Sequence, residues 1–336
     1  MLHQGRRARR PSRFTPPPQA YESRMKDVSQ KPDSLRVARA TATLHAPADC
    51  IDLLRSGETE KGDALKTARV AGILAAKRTD ELIPLCHPLP IHRAEVTYEL
   101  AEASVRVIAE VQTIGPTGVE MEALTAASIA ALTLYDMLKP YAEPEELHIE
   151  ACHLERKTGG KSQHRRRLSQ PRQAAVIVLS DTVAAGQARD TAGAFVRDAL
   201  GDAGFTPVAY RVIADDAQAL QGTLRGYISE GTPLVITVGG TGLGPRDVTV
   251  DTVRPLIDTE IPGIMEAARA FGQRRMPFAM LSRGVAGYAG NTLLITFPGS
   301  RGGASESLAT TLPGIVHLLD TVRPGERHPG GYGGES

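Results

Sequence analysis

The sequence predicts two domains of different class. The N-terminal one is α+β, an antiparallel sheet with helices on one face. The C-terminal one is a three-layer α/β/α domain with a mostly parallel sheet. Three observations carry this reading. The chain has 336 residues, the length of about two ordinary domains. In the first half, HRAEVTYEL and ASVRVIAEVQTI alternate polar and apolar residues, the period of half-buried strands. The second half opens on the continuous apolar run AAVIVLS and then alternates strand and helix patterns, which implies parallel crossovers.

Taken in order, residues 1–24 are rich in arginine and proline, lack an apolar core and read as a disordered basic leader, not a secretory signal. Residues 25–160 form the first domain. Helical patterns near 62–77 and 120–139 flank the two alternating strands, which the short segment between them joins as a hairpin. LHIEACHLE supplies a third strand. Residues 161–173, KSQHRRRLSQPRQ, are basic, lack apolar periodicity and read as a linker. Residues 174–320 form the second domain: AAVIVLS, a helix in DTAGAFVRDALGDAG, the strand TPVAYRVI, a helix, the strand PLVITVGG, more helix, the strand NTLLITF and a last helix to about 319. Residues 321–336 are a Gly-rich tail.

Composition narrows the function. Trp is absent and Phe and Tyr are few, so both cores rest on Ala, Val, Leu and Ile. Lys plus Arg total 39 against 38 acids, a net charge of +1, which argues against general nucleic-acid or membrane binding. An arm made of the leader could bind nucleic acid, but a solvated tail is the better reading. Cys50, Cys86 and Cys152 are odd in number and show no CxxC spacing. Free thiols in a reducing cytosol fit them, not a zinc ribbon or an iron–sulfur cluster. No run of about 18 apolar residues suggests a membrane span.

In the first domain, TGVEMEALTAASIAALTLYDMLK reads as an Ala-rich helix with Glu120 and Glu122 at its positive end. Capping electrostatics alone would explain both. Asp136 and Lys139, three residues apart near the other end, can pair on one face. Glu122 and Asp136 return to nearly the same face but lie roughly 21 Å apart along the axis. One small substrate does not readily reach both within one subunit, which favours a site completed by a neighbouring copy. The run LIPLCHPLP holds Cys86 and His87 between Pro84 and Pro88.

KGDALKTARVAGILAAKRTDELIPLCHPLP, GVEMEALTAASIAALTLYDMLK and LERKTGGKS together resemble the cyclic pyranopterin monophosphate synthase (MoaC) family across nearly all of 25–162. The resemblance implies a ferredoxin-like subunit, hexameric assembly and active sites at dimer interfaces. It implies conversion of (8S)-3',8-cyclo-7,8-dihydroguanosine 5'-triphosphate to cyclic pyranopterin monophosphate, with release of pyrophosphate. It carries over Lys61, Lys139 and Lys157 as cations for phosphate or proton transfer, and His87, Glu120, Glu122 and Asp136 as the remaining catalytic groups. Asp136, Lys61 and His87 form the expected acid/base set. His87 is expected to be held at a fixed angle by the prolines, with Cys86 a small core residue; Cys86 and Met121 are also taken as substrate contacts. Gln163 stands where the family's GGKSG has its last glycine.

In the second domain, TVGGTGLGPRDVT follows a strand and precedes a helix, where glycines let backbone approach an anion. It is neither a Walker A loop nor a spaced GxGxxG. Ser180, Asp181 and Asp190 follow the first strand, Asp215 the second, and Gly299, Ser300 and Gly302 a late one. All lie at the carboxyl ends of strands, where open parallel sheets bind ligands. Glycine cradles plus aspartates suggest a phosphate-rich ligand with Mg²⁺.

These loops, with LSRGVAGYAGNTLLITFPGS and PGIMEAAR, resemble the MoaB/Mog molybdopterin-binding family over about 174–320. The resemblance implies a MogA-like fold and Mg²⁺- and ATP-dependent adenylylation of molybdopterin, with no bound organic cofactor. It assigns Mg²⁺ and substrate to Asp215 and Asp247, and pterin or phosphate to Gly239, Gly240, Thr241 and Gly242. Ser180, Asp181 and Ser300 join the substrate contacts. Val238 and Phe297 depart from the family's usual threonine and leucine. The expectation is a cytoplasmic, homo-oligomeric, bifunctional enzyme acting on pterin and nucleotide-derived small molecules. The alternative makes the second half a non-catalytic pterin-binding or scaffold module.

Overall fold

The computed structural model describes residues 24–160 and 167–321. The leader up to residue 23, the linker residues 161–166 and the tail beyond 321 lie outside the described residues.

The first half is built on β1 (Ser34–His45), β2 (Arg93–Leu100), β3 (Ser104–Gly115) and β4 (His148–Thr158), in the order β2-β3-β1-β4. Every neighbouring pair is antiparallel. Helices α1 (Ala48–Ser56), α2 (Ala64–Lys77) and α3 (Thr79–Leu82) connect β1 to β2, and α4 (Glu120–Leu138) connects β3 to β4. Each crossover skips one strand, so two βαβ units interlock. Ala38, Ala40, Ala42 and Leu44 of β1 face the helices and are buried. The alternate residues lie on the other face, where Arg39 and Arg106 both form ion pairs with Glu155, at 2.7 and 2.6 Å.

Local chemistry sets the helix ends. Asp63 caps α2 by accepting from the Lys66 amide at 2.9 Å. Gly57, at φ 76°, closes α1 by donating to the Leu53 carbonyl. Small residues let α2 and α4 approach closely: a Cβ on Gly72 would lie 3.0 Å from the Ala126 carbonyl oxygen. By length and composition α4 could cross a membrane, yet half of it is buried, packed on β1 and α2. On β4 the register slips opposite Thr41–Thr43, where Ala151 takes φ 52°. That bulge sets His153, not Cys152, against Thr41.

The second half has β5 (Arg172–Leu179), β6 (Phe205–Ile213), β7 (Leu234–Val238), β8 (Thr259–Glu260), β9 (Ala286–Ala289) and β10 (Thr292–Phe297). Their order is β6-β5-β7-β10-β9-β8, parallel from β6 to β10 and antiparallel beyond. Helices α6 (Ala192–Asp202), α9 (Pro262–Gln273) and α10 (Arg301–Thr321) cover one face. Helices α7 (Ala217–Ser229) and α8 (Thr249–Val253) cover the other. The short α5 (Asp181–Ala184) follows β5. The two halves meet through polar contacts ahead of β1: Asp33 pairs with Arg274, and the Ser29 carbonyl accepts from Arg275. All three cysteines are free thiols.

The sequence reading found three strands in the first half; β1 is a fourth, at the sheet's interior. Its buried positions are largely alanines, too weakly apolar to stand out against Arg39, Thr41 and Thr43.

Candidate active sites

Helix α4 carries charge at both ends. At its C-terminal end, Asp136 Oδ2 lies 2.8 Å from Lys61 Nζ, and Oδ1 lies 2.8 Å from Lys139 Nζ. Lys61 comes from the loop ahead of α2 and donates also to the Asp136 carbonyl at 3.2 Å. Hydrogen bonds from Lys139 and then Lys61 bring the Asp136 carboxyl down to about 2, and its carboxylate raises Lys139. Asp136 is therefore ionised throughout the neutral range. Its geometry suits holding two ammonium groups side by side for phosphate, not donating a proton.

At the N-terminal end, Lys157 of β4 donates to Glu120 Oε1 at 3.1 Å. Glu122, in the same first turn, is buried. Loss of water, then the nearby charges of Glu120 and Asp80, raises its carboxyl. Burial, with the charges of Glu122 and Asp80, raises the Cys86 thiol. Cys86 is half-buried and lies outside the core cluster, which corrects its reading as a core residue. Its loop is open, with Leu82 and Leu85 more than half exposed. His87 is in hydrogen-bonding contact, at 2.7 Å, with the Lys26 carbonyl, so the segment ahead of β1 restrains it as well as the prolines. Met121 is exposed on the same turn. A cavity of about 700 Å³ opens here, bordered by Lys157, Glu120, Lys26, Lys31 and Arg36.

The structure thus gathers Lys61, Asp136 and Lys139 in one group. Glu120, Lys157, Glu122, Cys86, Met121 and His87 lie toward the other end of the helix. From Glu120 to Asp136 is sixteen residues, roughly 24 Å along the axis. Within one chain the two groups do not meet.

In the second half, a cleft of about 520 Å³ lies at the carboxyl ends of β5 and β7, lined by Ser180, Asp190, Asp215, Gly239, Gly240 and Asp247. Asp181 and Asp215 lock their loops together, each carboxylate accepting from the other's amide, at 3.1 and 3.3 Å. Burial, with the charges of Asp181 and Asp247, raises the Asp215 carboxyl, while Arg246 opposes the shift. Arg246 pairs with Asp181. Arg246 and the cleft-lining Arg189 are two cations that the sequence reading did not single out.

Several predicted contacts are already engaged. The Gly239 amide donates to the Phe297 carbonyl at 3.0 Å, so it is not an anion donor in this state. Gly239 instead permits close approach: at φ 109°, an added Cβ would lie 2.3 Å from the Leu179 carbonyl oxygen. The Thr241 and Gly242 carbonyls accept from Arg283, at 3.0 and 2.8 Å, which fixes the loop and leaves their predicted amide donors a separate matter. The hydroxyl of Ser300 accepts from the Gly303 amide at 3.2 Å and borders a separate cavity beside α9. Asp190 caps α6, accepting from Ala192, Gly193, Ala194 and the Tyr210 hydroxyl. Burial pushes its carboxyl up, but these bonds outweigh it and leave it lowered.

Residues 25–160 match the MoaC family, and residues 175–317 match a family described as a probable molybdopterin binding domain. The chain is 41% identical over 305 residues to a molybdenum cofactor biosynthesis bifunctional protein of Chlorobaculum tepidum, covering 91% of this chain and 96% of that one. It is 38% identical over 312 residues to a protein of the same description from Synechococcus elongatus, covering 89% and 97%. A solved molybdopterin biosynthesis protein from Mycobacterium abscessus is 37% identical, covering 44% of this chain and 93% of its own, with a TM-score of 0.42.

Proposed function

Because this chain belongs to the family of bifunctional molybdenum cofactor biosynthesis proteins, with a MoaC half and a molybdopterin-binding half, we propose that its two charged sites serve two separate steps of that synthesis. The first half is a cyclic pyranopterin monophosphate synthase with a ferredoxin-like fold, a reading supported by the interlocked β2-β3-β1-β4 sheet. Its substrate is the cyclised dihydro-GTP triphosphate. An internal hydroxyl gives its proton to the acid/base set and attacks the α-phosphorus; a new P–O bond closes the cyclic phosphate, and the bond to the leaving pyrophosphate breaks. The observation that carries this reading is the Lys61–Asp136–Lys139 group. Asp136 fixes two ammonium groups 2.8 Å from its own oxygens, a preformed cradle for phosphate charge. Lys157, His87 and Glu120 complete the site from a neighbouring copy in a homo-oligomer, a hexamer by family resemblance, with His87 in the acid/base set.

The second half binds molybdopterin and adenylylates it with ATP. Asp215 and Asp247 line one cleft with Asp181 bonded to Asp215 beside it, and the burial and crowding that raise the Asp215 carboxyl are what a divalent cation would relieve. Asp215 and Asp247 are the residues that would hold Mg²⁺, which supplies charge neutralisation for the phosphates. Arg246 and Arg189 border the same cleft as phosphate partners. The leader, the linker and the domain limits at 25–160 and 174–320 belong to this reading, as does a cytoplasmic location.

Paired turnover assays of the full chain test it. Lys61→Ala should lower cyclic pterin formation by about 10²–10³-fold and leave ATP-dependent pyrophosphate release from molybdopterin unchanged. Asp247→Ala should do the reverse. Synthase activity that survives both Lys61→Ala and Asp136→Ala removes the cradle. A parent chain that binds molybdopterin without turning over ATP makes the second half a scaffold.

A further inference from the structure

The sheet face away from α4 carries a cluster that neither proposed activity uses. His45 ends β1 and His148 begins β4, and the two are directly paired across the antiparallel ladder. Their rings stack, with centroids 4.6 Å apart and planes 10° from parallel. Glu150, two residues along β4 and on the same face, brings Oε2 to 2.9 Å from His45 Nε2. One donor atom from each of the three lies within 4.8 Å of the others. Arg106, on β3 opposite Thr43, is held by Glu99 and Glu155.

We propose that His45, His148 and Glu150 form a transition-metal site, with zinc(II) as the ion. Two imidazoles and one carboxylate are borderline ligands, suited to Zn²⁺ and poorly suited to Mg²⁺ or Ca²⁺. Metal–ligand bonds of about 2.0–2.2 Å need donors roughly 3–3.5 Å apart. The His45–Glu150 separation is close to that already, and side-chain rotation draws in His148. The two strands hold all three residues in register, so binding costs little backbone order. Both His148 and Glu150 are exposed, which leaves the remaining coordination positions to water.

The location gives the site a structural role. β4 is an edge strand, and its pairing with β1 slips at the bulge just beyond Glu150. A metal bridging His45 to His148 and Glu150 pins the register on the near side of that slip. Lys157 sits on the far side of it, so the staple also steadies the strand that delivers this lysine.

The test uses the full-length chain without an affinity tag, stripped with a chelator and titrated with zinc against a chromogenic competitor. The stripped parent chain should rebind zinc and melt at a higher temperature with it than without. His148→Ala and the isosteric Glu150→Gln should each weaken the tightest site at least about tenfold and abolish the melting shift. A parent that rebinds no zinc reduces the cluster to a hydrogen-bonded pair and overturns the proposal. Zinc affinity unchanged in both variants places the ion elsewhere and overturns it equally. Both exchanged residues are exposed, and circular dichroism of the metal-free variants checks that they fold.

Discussion

Glu122 is an acid that the helix start would favour but the protein interior disfavours. Burial, with Glu120 and Asp80 nearby, raises its carboxyl above the usual range. The folded chain therefore holds that proton more tightly than the unfolded chain. Its contribution to stability is fully present below pH 4.5 and is lost as pH rises through the raised value. Glu122→Gln removes this penalty. The variant should melt higher than the parent at pH 7, with the difference shrinking toward pH 4; identical melting at both pH values would show that Glu122 is solvated. Motif identity alone placed Glu122 among the catalytic groups. Its burial could not be read from residues 117–139, because a glutamate in the first turn looks the same exposed or enclosed. Asp136 shows the converse. Its partner Lys139 was legible from spacing on one helix, whereas its contact with Lys61 spans 75 residues and depends on tertiary packing. The two lysines bring its carboxyl down to about 2, so the free chain holds it as an anion between two cations.

Among the elements, strong patterns were legible and weak ones were not. The α4 pattern at 120–139 matches a helix over Glu120–Leu138, and the hairpin of β2 and β3 follows from two clean alternations. β1 escaped because alanine carries little hydrophobic signal, although Ala38, Ala40 and Ala42 are its buried face. The loop after β7 was recognised from its glycines, but their division of labour was not. Gly239 provides clearance against the Leu179 carbonyl, and its own amide bonds Phe297. Gly239→Ala combines a left-handed φ with a backbone collision, and should cost about 1–3 kcal/mol locally. Molybdopterin affinity should fall while synthase turnover holds. Unchanged affinity in a titration of the purified variant would mean that the loop relaxes without moving the cleft.

At the scale of the whole molecule, two groups of catalytic candidates lie roughly 24 Å apart on one helix, and the proposed shared site joins them across two copies. Mixing two inactive chains decides this. In a mixed dimer of Lys61→Ala and Lys157→Ala chains, one interface site carries both changes and the other carries neither. Co-refolded equal mixtures should recover about a quarter of parental synthase activity. No recovery means that each chain builds its own site. The two-domain reading was open to composition and periodicity, but no single-chain pattern states which surfaces of two copies touch.

The length of α4 thereby acquires a meaning of its own. Nineteen residues fix the span between the lysine pair at one end and the glutamate at the other. If two such helices lie across a shared boundary, that span is a ruler for the gap between neighbouring reaction centres. Adding or deleting a single turn would shift one end by about 5 Å and misalign both centres at once, with every catalytic residue still present.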